Sequence, residues 1–209
     1  MIKGAFLSMP GRRKFLKQLI LLGFGMSMEQ VIFSGTQKEE YLSASVASAM
    51  GRSIRHSSPP RLIFATQADG KRWLEQMDRQ LKNYVNFAYE RHNILLNSQY
   101  EASRAGLDPQ LILGLIEVES RFRRYAISST GARGLMQVMP FWVQQIGEPW
   151  HNLFDMRTNL RYGCTILRHY LDIEHGNLFR ALGRYNGSLG RATYPNAVIR
   201  AARSHWLYN

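Results

Sequence analysis

Cysteine is almost missing from this chain. Cys164 is the only one in 209 residues, which excludes an intramolecular disulfide framework and a cysteine-rich zinc site. It falls on an apolar helical stripe, where a lone cysteine behaves as a small buried hydrophobe. The six histidines, at 56, 92, 151, 169, 175 and 205, show neither HxxxH nor HExxH spacing, so no metal or cofactor is expected. No apolar run reaches the ~18 residues of a membrane-spanning helix. Strand signals are sparse and no internal repeat is visible. Acidic residues are also few: 15 Asp and Glu face 27 Lys and Arg, a formal net charge of +12. That excess implies a polyanionic partner, and by charge alone nucleic acid, acidic membrane and acidic cell-wall polymer all qualify. A hydrophobic content of 45% with 11% aromatics excludes a fully disordered chain. The length suits one globular domain with something added, and it is enough to bury a core without disulfide or metal staples.

The charge is divided along the chain. Residues 1–70 hold nine Lys/Arg and four Asp/Glu, net +5, and residues 71–209 hold eighteen and eleven, net +7. The later arginines are scattered and form no nucleic-acid arm. The early ones are clustered: Gly11-Arg12-Arg13-Lys14-Phe15-Leu16-Lys17 stands just before Leu19-Ile20-Leu21-Leu22-Gly23-Phe24-Gly25-Met26. A basic stretch ahead of a short apolar run is the layout of an export signal, and the paired arginines resemble a twin-arginine signal. The expectation is an export signal over 1–33, which is also the candidate for inner-membrane contact. With no cysteine nearby, a lipoprotein anchor is not expected. Ala47-Ser48-Ala49 has the small-x-small form of a cleavage site but lies far beyond the apolar run. Residues 34–70, rich in Ser, Ala and Gly and containing Pro59-Pro60, read as a flexible linker. The working domain is expected over 71–209.

That domain reads as helices. Trp73, Leu74, Met77, Leu81, Tyr84, Val85 and Ala88 recur at three- and four-residue steps, and Ile94, Leu95, Ser98 and Ala102 continue the stripe or begin a second helix. Asp108-Pro109 starts the next one, with Asp as N-cap and Pro where a missing N–H costs nothing. The segment from Leu111 to Val118 is apolar nearly all round, so it should be central. Leu160, Cys164, Leu167 and Leu171 make a third stripe, a short helix follows Asn177, and a last one runs from about Pro195 to Arg203. Ser128-Ser129-Thr130-Gly131 reads as a turn or small hairpin. The fold class is therefore mainly α (α+β), a helical domain with a small β or irregular element after the central helix.

The central helix ends on two carboxylates, Glu117 and Glu119. Buried carboxyls need a partner, a proton or a cleft. Two residues apart on a helix is about 200° of rotation, so the pair cannot share one face. Spacing alone does not choose between them, and both have a plain alternative as partners of Arg121, Arg123 or Arg124. The functional reading is an acid whose pKa burial raises, able to protonate a glycosidic oxygen.

A resemblance chooses. Glu119-Ser120, then Ser128-Ser129-Thr130-Gly131-Ala132-Arg133-Gly134-Leu135-Met136-Gln137-Val138-Met139-Pro140, then Asp155 through Asn159 to Gly163, then Tyr185-Asn186, resemble in order and spacing the soluble (SLT-type) lytic transglycosylases over about residues 95–205. The resemblance implies a lysozyme-like fold and cleavage of peptidoglycan glycan strands, with Glu119 as the single catalytic acid. It implies that Ser128, Gln137, Met139, Tyr185 and Asn186 line the substrate cleft, Tyr185 by a hydrogen bond to Glu119. One departure stands out: where the family usually has Ala-Tyr-Asn-Ala-Gly-Pro, this chain has Arg184-Tyr185-Asn186-Gly187-Ser188-Leu189. The implied product is a 1,6-anhydromuramoyl end from the MurNAc-β-1,4-GlcNAc bond, with no metal and no water consumed. A lysozyme-type hydrolase and a non-catalytic peptidoglycan-binding or secretion-machine scaffold are the alternatives, and nucleic acid becomes the weakest partner. The implied location is exported, periplasmic or in the bacterial cell envelope. Trp142, Trp150 and Trp206 are candidates for sugar stacking, though core packing is the default for tryptophan.

Overall fold

A computed structural model describes residues 37–208; the basic and apolar run expected to be an export signal lies outside the described residues. Among the described residues eight helices form, and side-chain caps show why five of them start where they do. Ser43 caps α1 (Ala44–Arg55), Thr66 caps α2 (Gln67–Leu81), Asp108 caps α4 (Pro109–Ser120), Asp155 caps α6 (Met156–Ile173) and Asn177 caps α7 (Leu178–Asn186). In each case a side-chain oxygen accepts a backbone N–H of the first turn. The stripe from Trp73 to Ala102 is two helices, α2 and α3 (Ala88–Arg104). Arg91 closes the break by donating to the carbonyls of Val85 and Asn86 and pairing with Asp78 of α2. The short α5 (Phe141–Ile146) starts only after Pro140, because a proline inside the first part of the loop would have cost a helical hydrogen bond. The chain closes with α8 (Thr193–His205).

Helix α4 is the axis of the domain. Leu111, Ile112, Leu113, Leu115 and Ile116 are all buried, and α4 packs mainly on α8 and α3. Gly114 sets the closeness of the α4–α8 crossing: a Cβ there would stand 2.6 Å from the backbone nitrogen of Ala202. Directly after α4, Arg121 and Phe122 take left-handed backbone angles (φ 50° and 61°). They turn the chain into the one β element among the described residues, where Ile127 pairs with Arg133 and Arg133 with Val138. The mainly helical fold with a small β element after α4 thus stands as read from sequence.

Residues 37–70 differ from the flexible linker expected over 34–70. Helix α1 packs Met50 and Ile54 into the core against α5 and α6, and Ala47-Ser48-Ala49 lies inside it. Farther on, Gln99 of α3 pairs with both the N–H and the carbonyl of Ile63 (2.9 and 2.8 Å), and Phe64 packs on Trp73 with ring centroids 5.8 Å apart. The small-residue content that suggested low order is good helix-forming sequence, and its few large apolar residues fall four apart on one face. Ile54→Ala is therefore expected to lower unfolding free energy by about 2–4 kcal/mol, measured by denaturant titration. A loss under ~0.5 kcal/mol would show that α1 is not part of the cooperative unit.

Candidate active site

Glu119 occupies the last turn of α4, where the helix leaves the apolar interior. Its side chain is 6% exposed. The Tyr194 hydroxyl donates to Oε1 at 2.5 Å, and Oε2 has no hydrogen-bond partner among the described residues. Burial raises the carboxyl pKa to about 8, against the opposing pull of the Tyr194 hydrogen bond. The group is thus mainly protonated at neutral pH and stands in its acid form.

Glu117 has a different task. Trp206 Nε1 donates to its Oε2 at 2.7 Å, and His205 Nδ1 lies 2.8 Å from Oε1. It pins the end of α8 to α4. Neither carboxylate pairs with Arg121, Arg123 or Arg124. The other acids of the block from residue 97 onward are also committed. Glu101 is buried among Arg104, Arg157 and Arg161. Asp108 and Asp155 cap helices. Glu148 faces Arg55, Asp172 pairs with Arg168, and Glu174 binds Arg180 and Arg184. Glu119 is left as the one buried carboxyl there with no cation beside it.

The loop from Gly134 to Pro140 is held by polar clamps. Asn159 of α6 accepts from Met136 N (2.8 Å) and donates to the carbonyls of Arg133 (2.8 Å) and Leu153 (2.9 Å). Gly134 is obligatory: its φ is +76°, and a Cβ would come within 2.6 Å of the Leu153 carbonyl. Gly163 of α6 leaves the space that the Met136 side chain fills. The Asp155–Asn159–Gly163 spacing is therefore cap, clamp and socket on one helix. Gln137 is buried with φ 47°, and its amide nitrogen braces the carbonyls of Ala126 and Gly134 (3.2 and 2.9 Å). Ser128 is half-exposed and closes the hairpin turn, its Oγ accepting from Ala132 N at 3.0 Å. Met139 is half-buried at the loop's far end. Asn186 is buried as the last residue of α7, just before the left-handed Gly187.

Tyr185 departs from the expectation. Its hydroxyl donates to the Met136 carbonyl at 2.7 Å, and the hydrogen bond to Glu119 comes from Tyr194. The ring is fully buried and near enough for the Glu119 charge, after burial itself, to push its phenol pKa well up. Tyr194 was missed because the last helix seemed to begin at Pro195; it begins at Thr193, and its partner is 75 residues earlier. Trp142 and Trp206 are core residues, while Trp150 is exposed. Among the described residues no helix is long and apolar enough to cross a membrane, and no cluster of His, Cys, Asp and Glu has a metal-holding arrangement.

Comparison with known proteins agrees with the motif order. The family model for the transglycosylase SLT domain matches residues 97–202. The chain is 32% identical over 106 residues to a transglycosylase of Enterobacteria phage PRD1, covering 47% of this chain and 39% of the phage protein. It is 34% identical over 98 residues to membrane-bound lytic murein transglycosylase C of Mannheimia succiniciproducens, covering 43% of this chain and 27% of that protein. These alignments span less than half of either relative. An inactive mutant of the lytic transglycosylase Slt from Pseudomonas aeruginosa superposes with a TM-score of 0.42 at 18% identity, over 83% of this chain and 36% of that one.

The raised acid has a measurable cost. An ordinary glutamate titrates near 4.5 and the folded Glu119 near 8. Between those values the folded chain holds more protons than the unfolded one, so stability falls as pH rises. Glu119→Gln removes that cost. Its melting temperature should exceed wild type by about 8–16 °C at pH 8, since the shift costs about 4 kcal/mol there, and match it near pH 4.5. An offset that does not change with pH in thermal scans would contradict the burial of this carboxyl.

Proposed function

Because the chain belongs to the SLT transglycosylase domain family, we propose that it is a peptidoglycan lytic transglycosylase with Glu119 as its acid and then its base. The observation that carries the mechanism is the Glu119 carboxyl, buried with no cation beside it. Most glycosidases flank the bond with two carboxylates; here the other acids of the matched block serve caps and ion pairs. A site with one acid needs its second group from the substrate.

The protonated Glu119 donates to the oxygen bridging N-acetylmuramate C1 and N-acetylglucosamine O4, and the C1–O4 bond breaks. The muramate N-acetyl oxygen supports the cationic C1, as in substrate-assisted glycosidases. Glu119, now a carboxylate, takes the proton of the muramate 6-hydroxyl while O6 bonds to C1. The acid is regenerated, a 1,6-anhydromuramoyl end is formed, and no water enters. Tyr194 steadies the carboxylate form in the second half through its hydrogen bond. The substrate is the glycan strand, and the net positive charge of the domain suits an anionic polymer. The export-signal layout before residue 34 and the envelope enzymes among the relatives support action outside the inner membrane, in the periplasm or cell envelope. Ser128, Gln137, Met139, Tyr185 and Asn186 build the cleft wall, with Gln137 and Tyr185 acting mainly by bracing the Gly134–Pro140 loop.

Purified protein is expected to release anhydromuropeptides from sacculi, each lighter by one water than the product of a hydrolase. Glu119→Gln should cut the rate by at least about 100-fold; unchanged release would remove Glu119 from the chemistry. Activity should decline as pH rises through about 8, where the acid form of Glu119 is lost. Tyr194→Phe deletes a bond that favours the carboxylate, so its alkaline limb should move to higher pH while kcat falls. A limb moving to lower pH would contradict this role of Tyr194.

A further inference from the structure

Gln37 lies 60 residues before the matched block begins, yet its side chain is 5% exposed. One amide oxygen takes two donors: Trp142 Nε1 at 3.0 Å and the Met139 backbone N–H at 3.2 Å. An amide oxygen has two lone pairs, and both are spent here. The same side chain lies close enough to Tyr185, whose hydroxyl holds the Met136 carbonyl, to pull its phenol pKa down against the larger upward push of burial. The residues after it are tied down as well. Gln145 of α5 donates to Glu39 Oε1 and to the Glu40 carbonyl (3.3 and 3.2 Å), and Glu40 pairs with Arg184 at 3.3 Å. Arg184 is the residue that departs from the family's usual alanine before Tyr-Asn. The substitution therefore has a local counterpart: it supplies the cation that receives the arm.

The loop carrying Met139 has separate fastenings. Asn159 and Tyr185 grip it at Met136, and the bridge to Arg133 holds Val138. The Met139 N–H is held by Gln37. Removing that acceptor leaves two donors without their partner in a largely buried setting, which costs far more than a surface bond.

We infer that Gln37 is a positioning residue of the active site, fixing the Met139 end of the cleft loop and the Tyr185 wall beside Glu119 from a segment that precedes the matched domain. This rests on the reading of Glu119 as the acid. Around Tyr185 the groups that face it are Glu119, Cys164, Gln37 and Tyr170, so a change at residue 37 is felt within that set. A small shift of a cleft wall is enough to matter, since misplacement of about 1 Å can cost ~100-fold in rate.

The test uses full-length protein, a soluble glycan strand, and the variants Gln37→Met and Gln37→Glu. Gln37→Met keeps the volume and loses both hydrogen-bonding functions; its kcat should fall about tenfold with KM within about twofold. Gln37→Glu in its protonated form is a near isostere, with a carbonyl to accept and an O–H to donate. At pH 5 it should restore kcat to within about threefold of wild type. As the new carboxyl ionises, a second buried negative charge disfavours ionisation of Glu119, so its alkaline limb should move up by about half a pH unit or more. Gln37→Met with wild-type kcat overturns the inference, as does a loss in both variants that only tracks their melting temperatures. If Gln37→Met does not fold, the pH profile of Gln37→Glu decides, and a wild-type profile overturns it. A wild-type enzyme that forms no anhydro ends overturns the reading of Glu119 and this inference together; an active wild type with insensitive variants overturns the inference alone.

Discussion

A carboxyl held out of water at the end of the central helix is the constraint on which the rest of this structure turns. Glu119 is placed by α4, and α4 is apolar on nearly every face because it has neighbours on nearly every face. Burial costs the charged form more than the neutral one, so the fold keeps a proton on Glu119 at neutral pH and pays in stability as pH rises. One hydroxyl, from Tyr194, limits how far that shift goes. The balance leaves an acid able to give its proton and a carboxylate able to take one back.

The loop from Gly134 to Pro140 has little regular secondary structure of its own and depends on polar clamps. Asn159 accepts from its Met136 N–H and donates to the carbonyls of Arg133 and Leu153 on either side, Tyr185 takes the Met136 carbonyl, and Gln137 braces it from inside at a left-handed backbone position. Each clamp satisfies a backbone group that the loop's irregular path leaves without a helical or sheet partner. Several motif residues thus shape this loop from within the fold. The clamping continues upstream, where the arm at Gln37 to Glu40 meets Met139, Trp142 and Arg184.

Much of this was readable from residues alone where the governing interaction is local. Asp108, Asp155 and Asn177 cap helices as their positions suggest, because a cap acts within three residues. The apolar run of α4 announced a buried helix, and the ordered motifs singled out Glu119 over Glu117. What could not be read is long-range. Tyr194 meets Glu119 only because α8 packs on α4 through Gly114 and Ala202. Glu117 looked like a rival acid until Trp206 and His205 folded onto it. The stretch around α1 looked unstructured since its Ser and Ala content is ambiguous locally, and only the packing of Met50 and Ile54 resolves it. Tyr185 was read as the partner of Glu119 from its place before Asn186 in the motif, whereas the bond comes from Tyr194, 75 residues away on α8.

The central claim is a statement about one proton, and it can be measured on that proton. Selective carbon-13 labelling of glutamate carboxyls, with Glu119→Gln to assign the resonance, allows the Glu119 titration to be followed by NMR in the resting protein. A midpoint near 8 is the result expected of a buried acid bonded only by Tyr194. A midpoint near 4.5 would mean that the carboxyl is solvated and ionised at neutral pH, and the single-acid account would fail.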